Sequence, residues 1–154
     1  MNTLTLAEVS LENLREVSKL SSTLTPEQQE YVAPNAFSVA EGLLTGSDAW
    51  IRAVCLDGTP IGFVMVHTGT DDWEPEEHPG VYLWRLMITR DYQRQGYGRR
   101  VLDMLITKFR REGRRVMYTS CVMGPASPYS FYISYGFTDT GRQDEGEQVL
   151  KLVL

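Results

Sequence analysis

The sequence is poor in the residues that build metal sites and cross-links. Its 154 residues include two cysteines, Cys55 and Cys121, and two histidines. The cysteines are too far apart to form a metal-spaced pair. Each lies inside an apolar run, "IRAVCL" and "VMYTSCVM". These runs favour buried free thiols on strands over a nucleophile or a disulfide. We therefore predict no metal, and the free thiols fit a cytoplasmic protein.

Long apolar runs and excess basic charge are also missing. No window approaches the ~18 apolar residues of a membrane span. The first residues, "MNTLTLAEVSLENL", lack the basic and apolar regions of a signal peptide. Fifteen Lys and Arg against 20 Asp and Glu give a net charge of −5, which argues against nucleic acid as a partner. The length suits one compact domain over residues 1–154. The charge and the lack of long apolar runs predict neither nucleic acid nor membrane as a partner.

Apolar spacing in the first half predicts a strand, helices and a hairpin. "TLTLAEV" alternates like a strand, and residues 11–20 have helical spacing. Thr25, Pro26 and Gln28 form a capping-box pattern, and Ser38 with Glu41 repeats it. Asp57-Gly58 predicts a tight turn between two strands.

The second half predicts a strand at 81–89 that is central and covered on both faces, since it has few polar breaks. A helix containing Leu102 and Phe109 follows and ends at Gly113. A strand over 114–123, a short helix over 127–135 and a hairpin turning at 143–146 complete the chain. This order predicts an α/β fold with a mixed sheet whose antiparallel part comes first.

The segment "RDYQRQGYGRR", residues 90–100, is the most unusual stretch. It carries four arginines and one acid around Gly96 and Gly98, between the predicted central strand and a helix. A helix start leaves backbone N–H groups unpaired and has a partial positive charge, so arginines there add repulsion unless an anion binds. Glycines let the backbone approach such an anion closely. The pattern indicates a phosphate site, and the alternative is a solvated arginine-rich turn.

Two nucleotide motifs do not fit this segment. A P-loop needs Gly-Lys-Ser/Thr, and Arg99-Arg100-Val101 stand there instead. A dinucleotide fingerprint needs a third glycine, and Val101 stands near that position. The fingerprint also follows the first strand, which in this chain is far from the segment.

Instead, "LMITRDYQRQGYGRRVLDML" resembles the acetyl-coenzyme A motif of the GNAT superfamily of N-acetyltransferases, Gln/Arg-x-x-Gly-x-Gly/Ala after the fourth strand. "SFYISYGF", residues 130–137, resembles the second signature of that superfamily, a tyrosine on the last helix followed by Gly-Phe. The resemblance implies a single domain with a central mixed sheet of six to seven strands, flanked by helices and splayed between strands 4 and 5. More narrowly, the chain is similar to small bacterial spermine/spermidine acetyltransferases.

The resemblance implies acetyl-CoA as cosubstrate. Its pyrophosphate would lie on the glycine loop, which maps to Arg94, Gln95, Gly96, Tyr97, Gly98 and Arg99. Its pantetheine arm would lie along strand 4 at Met87, Ile88 and Thr89, where a backbone N–H would polarise the thioester carbonyl. Tyr132 would be the catalytic residue, a general acid that protonates the leaving thiolate. From periodicity alone, Tyr132 is a core tyrosine.

Two positions depart from the family pattern. Relatives often have an acidic general base on strand 4 where this chain has Trp84, so the base is unassigned. Relatives also often have an asparagine seven residues before the tyrosine, where this chain has Pro125.

The acceptor implied is a small-molecule primary amine, which arrives as a cation at neutral pH. The acidic segment Asp71–His78 could form a polyamine-binding wall or be a solvated loop. His67 and His78 are weak candidates for the base. Tyr31, Asn35 and Phe37 belong to a predicted loop that could gate the acceptor or only connect two helices.

Two other functions stay open at this point. One is acetylation of protein N-termini or lysines, and the other is an acyl-CoA-binding module with little catalysis. Family members often pair through edge strands or the C-terminal hairpin, so the resemblance also allows a homodimer.

Overall fold

The computed structural model describes residues 2–69 and 80–154. Seven strands form one mixed sheet in the order β1-β2-β3-β4-β5-β7-β6. They are β1 (Leu4–Glu8), β2 (Ala49–Leu56), β3 (Thr59–His67), β4 (Gly80–Ile88), β5 (Val116–Cys121), β6 (Thr138–Asp144) and β7 (Glu147–Val153). Within these described ranges only β4 and β5 pair in parallel, and β1 to β4 form the antiparallel part. The predicted α/β fold with a mixed sheet of six to seven strands is therefore confirmed, and the sheet has seven.

In the part of the chain that the structure describes, five α-helices flank the sheet. They are α1 (Leu14–Lys19), α2 (Pro26–Tyr31), α3 (Asn35–Thr45), α4 (Tyr97–Arg111) and α5 (Tyr129–Tyr135). The apolar stripe of α4, which includes Leu102, Leu105 and Phe109, is fully buried in one core cluster. Val17 of α1 belongs to a second cluster with Phe63 and Met65 of β3. The strands in the middle of the sheet are thus covered on both faces, as the apolar run of β4 predicts.

Strands β4 and β5 separate part of the way along their length. They pair only from Gly80↔Val116 to Leu83↔Thr119, while β4 stays paired with β3 as far as Ile88. The β3–β4 register shifts where Leu83 opposes Val66 and Arg85 opposes Met65, which leaves Trp84 as an extra residue. Such a bulge bends a strand and increases its twist. The bulge therefore lies where the two strands begin to splay.

Local turn chemistry agrees with the sequence at several places. Thr25 and Gln28 form the predicted capping box at the start of α2. Asp57 and Gly58 both have positive φ in the β2–β3 turn, as do Glu145 and Gly146 in the β6–β7 turn. Two successive positive φ values match the twist of a two-residue hairpin. Cys55 and Cys121 are free and buried, as predicted.

Two predictions about helix starts are wrong. Leu11 is 93% exposed and precedes α1, so apolar spacing placed that start three residues too early. Ser38 is not an N-cap but a buried residue inside α3, which begins at Asn35 after Pro34. The buried Asn35 amide donates to the Val17 carbonyl at 2.9 Å. This tertiary contact and the fixed φ of Pro34 set the start of α3.

Among residues 2–69 and 80–154, none of the helices is both long and apolar enough to cross a membrane.

Candidate functional site

The splay between β4 and β5 opens a cavity of about 630 Å³, here called the large cavity. The end of β4, the β4–α4 turn, α2 and the segment leading into α5 form its walls. From β4 it is lined by Leu86, Met87 and Ile88, and from the turn and the start of α4 by Gln93, Arg94, Gly96, Tyr97, Gly98 and Arg99. The structure therefore brings most of the predicted cofactor residues to one wall.

The β4–α4 turn presents backbone donors to this cavity. Arg94 has φ +59° and Gly96 has φ +84°, and Gly96 caps α4 in the left-handed conformation. Left-handed residues within a turn allow neighbouring backbone N–H groups to converge on an anion. The first turn of α4 adds N–H groups that have no partner within the helix. A Cβ built on Gly96 would meet no atom within 4 Å, so the space beside this glycine is open.

The second glycine has a different role. A Cβ built on Gly98 would lie 3.2 Å from the Phe131 ring of α5. Gly98 therefore lets α5 pack against the first turn of α4, which brings Tyr132 to the large cavity.

Arginines near the turn divide between the cavity and the rest of the protein. Arg94 and Arg99 line the large cavity, and Arg99 also lies 5.1 Å from the centre of the Tyr135 ring. Arg100 donates to the Asn2 carbonyl at 3.0 Å and stacks near Tyr97. The positive charge available to an anion thus comes from Arg94 and Arg99.

The exposed edge of β4 offers a backbone donor at Ile88. Thr89 donates its N–H to the Ile61 carbonyl on β3 at 2.8 Å. Because the polar groups of an antiparallel strand alternate in direction, Met87 also faces β3, and Leu86 and Ile88 face the splay. The Ile88 carbonyl accepts from Gln93 Nε2 at 2.9 Å, in keeping with this direction. Of the three predicted strand residues, Ile88 therefore turns its N–H to the cavity.

Two predicted cofactor residues, Thr89 and Gln95, lie outside the wall that the described residues form. The Thr89 hydroxyl bonds Thr23 at 2.6 Å, and Gln95 Nε2 donates to the Asp91 carbonyl at 2.9 Å. Both side chains hold the turn in shape. Gln93 belongs to the motif but was not predicted as a cofactor residue. It lines the cavity and donates to Gln28 Oε1 at 3.4 Å.

Tyr132 lies where the large cavity meets a smaller one of about 180 Å³, the junction cavity, and it lines both. Its side chain is 5% exposed and packs against Phe131 and Phe137. Burial raises the pKa of the phenol well above its ordinary value, and a hydrogen bond with Thr119 offsets part of that rise. The hydroxyl is therefore protonated at neutral pH and can donate a hydrogen bond.

The two departures from the family pattern both border the cleft. Trp84 lines the junction cavity, with its ring 6.0 Å from that of His67. Pro125 lines the large cavity but has no N–H to donate. The acidic segment Asp71–His78 lies outside the described residues.

A third cavity, of about 500 Å³, shares Trp84, Arg85, Ser120 and Glu147 with the junction cavity and is here called the hairpin cavity. It lies between β4, β5 and the β6–β7 hairpin, and His67 lines it at the end of β3. Glu147, the first residue of β7, lines both the junction and hairpin cavities. Burial raises the pKa of its carboxyl, and Arg85 and a hydrogen bond from Ser120 lower it in part.

Sequence reasoning assigned no role to Glu147. In the sequence Glu147 is an acid at the start of the last strand. It becomes a candidate for a functional role only when β7 is seen to pair with β5.

Comparison with known proteins agrees with this geometry. The model of the acetyltransferase (GNAT) family matches residues 11–137. No curated protein matches the chain at a significant level.

Solved structures share the fold across nearly the whole chain. An acetyltransferase from Thermus thermophilus has a TM-score of 0.79 at 19% identity, with all of both chains covered. The PaiA N-acetyltransferase from Thermoplasma acidophilum, solved with coenzyme A, has a TM-score of 0.73 at 16% identity, with 99% of each chain covered. The ribosomal-protein-S18-alanine N-acetyltransferase from Escherichia coli has a TM-score of 0.67 at 18% identity, covering 99% of this chain and 93% of the other. The family match spans most of the sequence, and the chain belongs to the acetyltransferase (GNAT) family.

Proposed function

We propose that this protein transfers an acetyl group from acetyl-CoA to the primary amine of a small molecule. One observation carries the proposal: Tyr132 lines both the large cavity, which also contains the β4–α4 turn, and the junction cavity, which in turn shares wall residues with a third cavity. A cosubstrate in the large cavity and an acceptor in the third cavity could therefore meet beside β4. Membership of the acetyltransferase family supports the same reaction.

The residues present fit coenzyme A. Gly96 leaves open space beside a turn of backbone N–H groups, and Arg94 and Arg99 add positive charge, which suits a pyrophosphate. Leu86 and Ile88 turn their backbone N–H groups away from β3 along the open edge of β4, which suits the amides of a pantetheine arm. The Thermoplasma acidophilum relative was solved with coenzyme A. Acetyl-CoA would supply an activated acetyl group as a thioester.

The chain itself would contribute donors, burial and orientation. The Ile88 N–H can donate to the carbonyl oxygen that gains negative charge when the amine attacks. Tyr132 keeps its proton at neutral pH and can donate it towards the sulfur that leaves. Phe131 and Phe137 hold the Tyr132 ring in place. No covalent acyl carrier is assigned, and attack takes place in a ternary complex.

We further propose a diamine or polyamine as the acceptor, in the cytoplasm. The resemblance to spermine/spermidine acetyltransferases and the acidic residues of the β6–β7 hairpin support this class. The two free cysteines fit a reducing compartment. Any homodimer would form through edge strands or the C-terminal hairpin, of which β1 and β6 are the sheet edges.

Thiol release from acetyl-CoA, followed with a chromogenic disulfide, tests the proposal. The acceptor panel holds putrescine, spermidine, spermine, an aminoglycoside, free amino acids and short peptides. We expect the fastest release with the polyamines, with mass spectrometry showing one acetyl group added to the amine. Coenzyme A affinity is measured in parallel by calorimetry.

Two outcomes would replace this function. Release with peptides alone would favour acetylation of protein N-termini or lysines. Tight coenzyme A binding without release for any acceptor would favour an acyl-CoA-binding module.

A further inference from the structure

We propose that the hairpin cavity is the acceptor site and that Glu147 takes the proton from the incoming ammonium group. This inference rests on the proposed function, because it assigns the acceptor side and the missing base of that reaction. Trp84 occupies the position on β4 where relatives often have an acid, and an indole cannot accept a proton at neutral pH.

The position of Glu147 is the first argument. It is partly buried and lies in the wall that the hairpin and junction cavities share. Tyr132 lies in the wall that the junction and large cavities share. The cavity of about 180 Å³ thus has the proposed thiol-side donor at one boundary and a carboxylate at the other. An amine held at Glu147 would face the reacting end of a cosubstrate in the large cavity.

The polar partners of Glu147 are the second argument. Ser120 of β5 lies beside this carboxyl and lowers its pKa, and it also hydrogen-bonds the Tyr82 hydroxyl of β4. Polar side chains from three strands therefore meet beside Glu147. Arg85, the cation that acts on this carboxyl, is paired with Glu41 at 3.1 Å. Because Arg85 is paired with Glu41, it does not form a full ion pair with Glu147, and the Glu147 carboxylate is available to a cationic ligand.

Charge and shape of the hairpin cavity indicate the ligand class. Its charged walls are Asp144, Glu145, Glu147, Arg85 and Arg142. With Glu41 beside Arg85, these described residues amount to four acids and two arginines, a balance of −2. Trp84 and Tyr82 add aromatic faces that also attract cations. A linear diamine fits this arrangement, with one ammonium at Glu147 and the other at the exposed acids of the hairpin.

The protons balance as follows. An N–H bond of the ammonium breaks and an O–H bond forms on Glu147, which leaves a neutral amine with a free electron pair. That pair forms the new C–N bond while the C–S bond breaks, with its electrons going to sulfur. Tyr132 gives its proton to the sulfur, the second proton of the amine nitrogen passes to Tyr132 and restores its hydroxyl, and Glu147 later releases its proton to solvent. Burial raises the Glu147 pKa, which narrows its gap to that of an alkylammonium, about 10.

Glu147→Gln tests the role because it keeps the side chain's size and removes the base. The groups facing Glu147 are Arg85, Asp144, Glu145 and Ser120, with His67, Tyr82 and Arg142 on the same cavity. For the acceptor that the wild type acetylates fastest, we expect kcat/KM at pH 7 to fall by about 10²-fold. Only free amine should then react, so the loss should shrink as pH rises towards about 10. Coenzyme A affinity should stay unchanged.

Two further variants separate chemistry from structure. Glu12→Gln removes an exposed acid that lines none of these three cavities, and it should leave kcat and KM at the wild-type values. Glu147→Asp keeps a carboxylate and should restore part of kcat/KM and the wild-type pH profile.

The outcomes are distinguishable. Suppose that the wild type acetylates an amine. A kcat/KM of Glu147→Gln equal to that of the wild type, or a loss of kcat/KM that does not depend on pH, would then overturn this inference. The proposed function would still stand. Absence of turnover with every small amine would overturn the proposed function and this inference with it.

Discussion

The large cavity and the hairpin cavity both border β4, but the chain assembles them differently. One wall of the large cavity comes from Leu86 to Arg99, a nearly continuous run through one strand, one turn and the start of one helix. The hairpin cavity collects His67, Tyr82, Ser120 and Glu147 from four strands that are far apart in sequence. Local motifs can therefore report the first site, whereas the second exists only through sheet pairing.

The same difference indicates which of the two sites tolerates substitution. A turn that binds a phosphate through backbone N–H groups depends on conformation, so glycine at a positive φ is the decisive residue. A cavity built from side chains can change its ligand through single substitutions. We expect changes at the turn to abolish activity with every acceptor and changes at the hairpin to act on particular acceptors.

Gly96→Asp should have the largest effect. It places a carboxylate in the open space beside the turn and adds repulsion to any phosphate there. We expect coenzyme A affinity, measured by calorimetry, to fall by more than about 10²-fold, since hydrogen bonds to a charged group are lost.

Gly113→Asp is the matched control for this change. Gly113 has φ +80°, close to the +84° of Gly96, and is also open on its Cβ side, but it lies at the other end of α4. Both variants should lose about 1 kcal/mol of stability from the left-handed conformation. Equal coenzyme A affinities in the two variants would contradict the phosphate turn.

Tyr132→Phe should come next. It removes the hydroxyl and keeps the ring between Phe131 and Phe137. We expect kcat to fall by about 10²-fold, as for the loss of a general acid, with coenzyme A affinity unchanged.

Tyr129→Phe is its control on the same helix, since the Tyr129 hydroxyl donates to Asp139 at 2.8 Å outside the large cavity. Its kcat should match the wild type. A wild-type kcat in Tyr132→Phe would remove Tyr132 from the chemistry.

Ser120→Ala tests the side-chain site with a smaller expected effect. Its hydrogen bond lowers the pKa of Glu147, so its loss should raise that pKa further. Because the base acts only when ionised, the acidic limb of the kcat/KM profile should move to higher pH. Ser134→Ala, which loses only an exposed bond to the Phe131 carbonyl, should leave the profile unchanged. If the acidic limb of the kcat/KM profile does not move in Ser120→Ala, Ser120 does not influence the pKa of the base.

Glu147→Gln should also change stability, and this is the smallest effect. The folded state raises the Glu147 pKa, so the ionised carboxyl opposes folding above its unfolded pKa of about 4.3. The variant should therefore melt roughly 1–3 °C higher at pH 7, since solvent screens much of the effect. The difference should shrink as pH falls through the raised pKa and vanish below about 4. A lower melting temperature at pH 7 would show that Glu147 stabilises the fold.

Much of the fold follows from local pattern. The Asp57-Gly58 turn, the capping box at Thr25 and the apolar stripe of α4 are set by residues close in sequence, and the structure has each of them. Ser38 failed as an N-cap because its capping pattern competes with Pro34 and with the contact between Asn35 and Val17. A contact made across 18 residues is not visible in a four-residue motif.

The site divides along the same line. The motif places Gly96, Tyr97 and Arg99 at the large cavity, but Gly98 is a glycine because Phe131 packs against it. Thr89 belongs to the motif's strand, yet its N–H is used by Ile61, which depends on strand register. Glu147 becomes a candidate only when β7 lies beside β5. Residue type predicts the first group, and pairing across the sheet decides the rest.

The splay of β4 has a consequence for amide hydrogen exchange. Thr89 donates to β3 and should exchange slowly, whereas the Leu86 and Ile88 amides face the cleft and should exchange quickly in the free protein. A ligand that pairs with this edge would act as an eighth strand, and the two fast amides would become protected on binding. Exchange rates at Leu86 and Ile88, read by NMR during a coenzyme A titration, would then show how far the ligand completes the sheet.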